Sequence, residues 1–497
     1  MTRKVTALFL IIAVLLNAAG CSRKSGTGQA GGNGDGTQFS QLEHVDLVMY
    51  LLGSEPADMD MVLEELNKKA EADLNCTLSI EWIGWGDFTT QYPLVLSSGE
   101  QIDLIYAATW LDFTQNAQKG AFLPLEDLLP EYAPRSWSVV SEAVRKQATV
   151  DGHMYALPAN YKTYNSFGPI VRGDLMEKYH IPDIRSFDDY LNFLDTMALN
   201  EDLDPSGLYS AGMELDNLFL LSRGYYPLTG ASESPYWIRL GDDRHTVYFK
   251  SECPDMVDFL SNAEAWCNKG YWSKSVLANK DETMLESGLA ASRVHNFDTW
   301  VGEYGKNLDY KLRYFNLADP TRVLSSIQDA MAVPASSKHP YRALMLLEKL
   351  RNDESYYMLL TYGIEGVHYT ITEESRINFL NPDYGNEPGT WGFREAKYKR
   401  DDASFPDDGA KVRSEIADSA IEVDFTSYNI NIKPIKTEYT VLENVIAEYY
   451  NPLKLGYVSY QEGMAELKKE LAIAGNDIIK LELKKQLNEF LSEWNSR

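Results

Sequence analysis

The chain has 497 residues, 44% of them apolar, so a substantial core is available and the length suits two or more domains. Its 73 acidic against 46 basic side chains leave a formal net charge of −27. That balance argues against nucleic acid as a partner, because the phosphates would be repelled, and favours solubility at a crowded surface.

Arg3 and Lys4 precede the apolar run VTALFLIIAVLL from Val5 to Leu16. The run is short for a membrane span and leads into Ala18-Ala19-Gly20, a pattern that predicts a secretory signal over residues 1–20. The small residues end on Cys21 and resemble the lipobox of bacterial lipoproteins, in which the Cys is acylated and becomes the new N-terminus. Ala18 stands where Leu is commonest, and an ordinary signal peptide cut near Gly20 is the alternative. Residues 21–41 are rich in Gly, Ser and Asn, cannot bury apolar surface, and read as a flexible tether. Within them Gly26-Thr27-Gly28-Gln29-Ala30-Gly31 matches a dinucleotide fingerprint. No strand precedes it and no helical period follows, so nothing presents backbone amides to a pyrophosphate, and no cofactor is expected.

HVDLVMYLLG then reads as a buried strand ending at Gly53. SEPADMDMVLEELNKKAEADLN predicts a helix with Leu63, Leu66, Ala70 and Leu74 on one face. CTLSIEWIGW predicts a strand, DFTTQYPLVLSSGE a helix, IDLIYAATW a strand, and FTQNAQKGAF a helix ending at Gly120. Such alternation implies a parallel α/β sheet, whose ligands gather beyond the carboxyl ends of the strands. That rule singles out Gly53-Ser54-Glu55, Trp85-Gly86-Asp87, and Trp110 with Asp112.

SSGEQIDLIYAATWLDFTQNAQKGAFLPLEDLLPEYAP resembles the first lobe of extracellular solute-binding proteins of ABC importers (family 1 type). DGHMYALPANYKTYNSFGPIVRGDLMEKYHI is similar to that family's crossing into a second lobe, with Ile170-Val171 in place of its usual Tyr pair. ESGLAASRVHNFDTW resembles the strand after which an aromatic, here Trp300, often packs on ligand. The run from Ala332 to Tyr369 and NIKPIKTEYTVLENVIAEYYNPL resemble members with a C-terminal domain of uncharacterised function. The resemblance implies a two-lobe α/β fold with hinge-crossing strands and a helical C-terminal extension. The expected divisions are lobe 1 over 42–160 and 323–360, lobe 2 over 161–322, and the extension over 361–497. In the last, Ile479, Leu483, Leu487, Phe490, Leu491 and Trp494 form a helical stripe that should dock the tail onto a lobe.

None of the seven His forms H-x-x-x-H or H-E-x-x-H, and no G-x-S-x-G occurs. Acid pairs abound, but a retaining glycosidase needs two carboxyls about 5 Å apart flanking a bond, which spacing in sequence does not establish. Asp202-Leu203-Asp204-Pro205-Ser206-Gly207 begins like a calcium loop, yet Met213 occupies the place of the closing Glu, so no metal is expected. Beyond Cys21 there remain Cys76, Cys253 and Cys267; a Cys253–Cys267 disulfide and buried free thiols are both open.

Ten Trp, 31 Tyr and 18 Phe suit a ligand with apolar C–H faces and hydroxyl rims. Trp85, Asp87, Trp110, Asp112, Tyr161, Tyr164, Asn165, Asp298 and Trp300 are the candidate ligand-binding set, with Trp110 and Trp300 foremost; Trp391 in EPGTWGF ranks below them, since stapling the C-terminal domain is its alternative role. The expected protein is a monomer, lipid-anchored through Cys21 on the outer face of the membrane, without catalysis. It would capture a solute, a sugar before other classes, for ABC permease subunits. The alternatives are a sensory binding protein feeding a membrane kinase, an importer component for peptides or another non-sugar solute, and a surface glycoside-active enzyme.

Overall fold

The computed structural model describes residues 42–228, 234–242, 244–381, 384, 387–423, 425–426 and 428–495. The expected signal, the acylated Cys21 and the tether lie outside the described residues. Among those described, no helix is long and apolar enough to cross a membrane.

The strand–helix alternation read from the sequence is realised. Strands β1 (Val45–Leu52), β2 (Cys76–Ile83) and β3 (Leu104–Ala107) run parallel, with β1 central and Val45 opposite Cys76. β4 (Leu157–Pro158) closes the sheet's far side. Beyond it the chain enters a second, three-stranded sheet through β5 (Phe167–Val171). A small antiparallel sheet follows, made of β6 (Tyr225–Pro227), β7 (Tyr236–Arg239) and β8 (Tyr248–Phe249). β9 (Ser292–Asn296) and β10 (Arg313–Tyr314) flank β5, and β11 (Ala330–Ala332) returns to the first sheet between β3 and β4.

Buried side chains explain this partition. Leu47, Met49, Leu51, Leu104 and Ile105 centre one core, and Phe187, Tyr190, Leu218, Trp237 and Phe259 centre another. In the first helix, Met59–Leu74, the buried stripe is Met59, Val62, Leu66, Ala70 and Leu74. Leu63, expected on that face, is only half-buried, because Val62 takes the core-facing register.

Three segments cross between the lobes side by side. The amide of Asn165 donates to the carbonyl of Arg322 at 2.8 Å, and Leu324 donates back to Thr163 at 3.0 Å. The third segment joins both: Asn160 donates to Arg394 at 2.9 Å, and Val323 donates to Ile421 at 2.9 Å. Among the described residues, these three hydrogen-bonded segments connect the two sheets, as a hinge requires.

The C-terminal helices join the second-lobe core. Ile435, Leu442 and Val445 lie there with Ile479, Leu483, Leu487 and Leu491 of the last helix, Asn476–Asn495, while Phe490 is partly buried against it. Trp494, the end of the expected stripe, lies outside the described side chains. Cys76, Cys253 and Cys267 are buried free thiols, so the Cys253–Cys267 bridge is not formed.

Candidate functional site

The carboxyl ends of β1, β2 and β3 carry the aromatic residues singled out above. Trp85, just past β2, has its ring centroid 5.8 Å from that of Trp110, just past β3, and 5.7 Å from that of Trp391. Phe88 meets both Trp85 and Trp110 edge-on, and Tyr106 at the end of β3 lies against Trp110 and Trp391. All three tryptophans are half-buried. Trp110 is oriented by its indole N–H, which donates to the carbonyl of Gln328 at 3.1 Å.

Trp391 reaches this cluster because the short turn Thr390–Phe393 lies across the strand ends. Two glycines permit the approach. A Cβ on Gly389, whose φ is +62°, would lie 2.8 Å from the carbonyl oxygen of Leu52; one on Gly392 would lie 2.7 Å from that of Ala330.

A charged network adjoins the aromatic floor. Arg394, buried, donates to Glu387 through Nε and Nη2, the latter at 2.8 Å, and through Nη1 to Asp298 at 3.1 Å. Lys399 donates to the same Glu387 at 2.6 Å. Burial alone would raise the Glu387 carboxyl, but Arg394 and Lys399 override it and hold it at about 2. Asp298 belongs to the second lobe and Arg394 to the crossing segment, so the network ties a lobe to the hinge. Tyr161 lies over it, its ring centroid 5.2 Å from the Arg394 guanidinium and 5.5 Å from the Lys399 ammonium.

The nine expected site residues therefore separate. Trp85 and Trp110 come together. Asp87 sits at the first-lobe margin, paired with Lys280 of the second lobe. Asp112 turns the chain with φ 54° and accepts from Gln115 at 3.1 Å. Tyr161 and Asp298 join the network. Tyr164 packs against the small core cluster that includes Trp300 and Phe405, and Asn165 lies in the hinge, where its side-chain amide nitrogen is buried with no hydrogen-bond partner among the described residues.

Trp300 requires correction as a ligand platform. It is 3% exposed, donates its N–H to Leu312 at 2.9 Å, and stacks on Tyr314 at 5.9 Å. Its neighbours cover the ring faces, so it is a core side chain. The Asp202–Gly207 loop is likewise internally satisfied: Asp204 accepts from the amides of Ser206 at 3.1 Å, Gly207 at 2.8 Å and Ser273 at 3.2 Å. Among the described residues, no group of three His, Cys, Asp or Glu is placed to hold a metal ion.

Arg394, Glu387 and Lys399 escaped the sequence reading altogether. The local signal is the stretch EPGTWGF, which Glu387 opens and Arg394 follows, and whose glycines mark a close backbone approach.

Comparison with known proteins follows the same outline. Residues 424–492 match the model of a domain of unknown function, DUF3502. A carbohydrate ABC transporter substrate-binding protein of Streptococcus pneumoniae serotype 4 is 24% identical over 462 residues, 89% of this chain and 90% of that protein. A polygalacturonan/rhamnogalacturonan-binding protein, YtcQ of Bacillus subtilis, is 20% identical over 75% of both. Among solved structures, the N-glycan transport solute-binding protein NgtS of Streptococcus pneumoniae, bound to Man5GlcNAc, superposes with a TM-score of 0.77 at 22% identity, over 91% of this chain and 99% of that one.

Proposed function

We propose that this chain, a homologue of the substrate-binding proteins of carbohydrate ABC transporters with a DUF3502 domain at its C-terminus, captures an oligosaccharide outside the cell and delivers it to a membrane permease. The observation that carries the sugar is the half-buried cluster of Trp85, Trp110 and Trp391 at the strand ends. Indole faces suit the C–H face of a pyranose, and the carboxylates of Asp87 and Asp112, beyond β2 and β3, would accept from its hydroxyl groups.

The mechanism is closure. The lobes are joined by three backbone segments, so they can rotate about that hinge while each keeps its own core. A ligand that touches both lobes favours the closed form by its differential affinity, and the closed form is the one a permease recognises. No bond of the sugar is broken in this reading. The carboxylates of Glu387 and Asp298 in the charged network are held by Arg394, which suits a structural tie between hinge and lobe.

The chain is further read as a monomer held at the outer face of the membrane by an acylated Cys21. Cys21→Ser should move the protein from the membrane fraction to the medium; retention in the membrane would refute the anchor. The direct test of function is thermal unfolding of residues 22–497 with neutral and acidic oligosaccharides, amino acids and short peptides. A ligand at a hundred times its dissociation constant adds about 2.7 kcal/mol. A shift in Tm with a glycan supports the reading, and a shift only with peptides or amino acids overturns it.

A further inference from the structure

The C-terminal domain belongs to the second lobe by its core, yet it reaches the first. Ile430, Ile432, Ile435 and Leu442 are buried with second-lobe side chains. The loop that carries the first two projects toward Trp110. There Thr114 Oγ1 donates to Asn429 Oδ1 at 3.1 Å, and Asn429 Nδ2 donates to the carbonyl of Gln147 at 3.4 Å. The loop is pinned from behind by the last helix. Gln486 accepts from the amide of Asn431 at 2.9 Å and donates to its carbonyl at 2.9 Å.

Between loop and lobe lies a cavity of about 100 Å³, lined among others by Trp110, Asp112, Pro235, Asn429 and Tyr439. That is room for several waters, and so for the hydroxyl edge of a sugar. Its walls come from the first lobe, the second lobe and the C-terminal domain. It shares Trp110 with the aromatic cluster, so the cavity and the candidate site meet at one side chain.

The polar groups here have capacity left. An Asn amide carries two N–H donors, and Asn429 uses one on Gln147. The Tyr439 hydroxyl makes no hydrogen bond among the described residues, although the side chain is half-buried.

We propose that the domain of unknown function forms a wall of the ligand site, a subsite at which Asn429 and Tyr439 bind one neutral sugar residue of an oligosaccharide whose neighbouring residue lies on the tryptophans. The inference rests on the carbohydrate reading above and adds the wall and the charge preference.

The preference follows from the charged side chain in the cavity wall, Asp112. Burial and then the Asp112 carboxylate raise the Tyr439 hydroxyl. The carboxylate of a uronic acid would be a second negative charge at this wall, whereas a hexose or N-acetylhexosamine adds no charge and offers hydroxyls to Asn429 and Tyr439.

The test is calorimetric titration of residues 22–497, as wild type, Tyr439→Phe and Asn429→Ala, with Man1GlcNAc, Man5GlcNAc, kestose and trigalacturonate. The expected result is that wild type binds a neutral glycan and that Tyr439→Phe weakens it 5- to 20-fold with Tm unchanged. Affinity within twofold of wild type in Tyr439→Phe overturns the subsite, even if Asn429→Ala weakens binding, because Asn429 would then act only as a tie between lobes. Binding of trigalacturonate alone overturns the neutral subsite and leaves the carbohydrate function standing. Binding of none of the four by wild type overturns both.

Discussion

Two tryptophans that look alike in sequence have opposite fates. Trp110 and Trp300 both follow a strand, and position alone made them equal candidates. The difference lies in what receives the indole N–H and what covers the ring. Trp110 donates to Gln328 and stays half-buried among aromatic rings, whereas Trp300 donates to Leu312 and is enclosed by Phe297, Tyr304, Tyr314 and Phe405. Trp300→Ala should therefore behave as a large-to-small core substitution costing about 3–5 kcal/mol. Trp110→Ala should lower glycan affinity at least tenfold with a much smaller loss of stability. Chemical denaturation and calorimetric titration of both variants separate the two. An affinity loss in Trp300→Ala beyond its loss of folded protein, or a Trp110→Ala that binds as wild type, would reverse the assignment. No residue-by-residue reading could have told them apart, because the covering partners, Tyr314 and Phe405, arrive from later segments of the chain.

At the scale of elements, the regular parts were legible and the irregular ones were not. Hydrophobic period announced β1 to β3, their helices and the last helix, whose Ile479, Leu483 and Leu487 are fully buried. A period reports which face is buried, not which lobe buries it. The docking of the C-terminal helices on the second lobe depends on a polar cluster with no sequence period. Asp216, wholly buried, accepts from Lys250 and Lys454 at 3.2 Å each and from Tyr450 at 2.8 Å. Lys454 and Tyr450 come from the C-terminal domain, so this carboxylate ties that domain to the lobe. Burial would raise its pKa, but the two lysines hold it at about 2, below the ordinary value near 4. A carboxyl with a depressed folded pKa contributes stability that is fully present above its unfolded pKa and lost as pH falls through the folded one. The shift corresponds to about 2–3 kcal/mol, lost between about pH 4 and pH 2. Asp216→Asn leaves two buried lysines without their carboxylate and should cost about 3–5 kcal/mol at neutral pH. In urea unfolding the gap between wild type and variant should narrow from pH 4 to pH 2. A gap that stays constant with pH would show that the carboxylate is not the group that ties the domain down.

At the scale of the whole molecule, exposed ion pairs join the lobes away from the hinge, beside the wall formed by Asn429 and Tyr439. Asp87 pairs with Lys280 across the cleft mouth, and Asp151 accepts from Lys433 of the C-terminal domain at 2.6 Å. Exposed pairs of this kind contribute at most about 1 kcal/mol each and are weakened by salt. Ion pairs of this strength would bias the lobes toward closure only weakly, which suits a chain proposed to capture a sugar. If closed contacts were strong, the site would seldom open to admit a sugar; if absent, the ligand would have to supply all of the closing free energy. Removing one tie should shift that balance by a bounded amount. Apparent affinity scales with the fraction of molecules that are closed, so Lys280→Ala should weaken glycan binding by no more than about fivefold. The radius of gyration without ligand should rise in small-angle scattering, while the ligand-saturated form keeps the wild-type value. High salt should move wild type toward the variant, because the lost tie is an exposed ion pair. An unchanged radius without ligand would mean that the ion pair does not bias closure, and a larger radius at saturation would mean that Lys280 shapes the closed form itself.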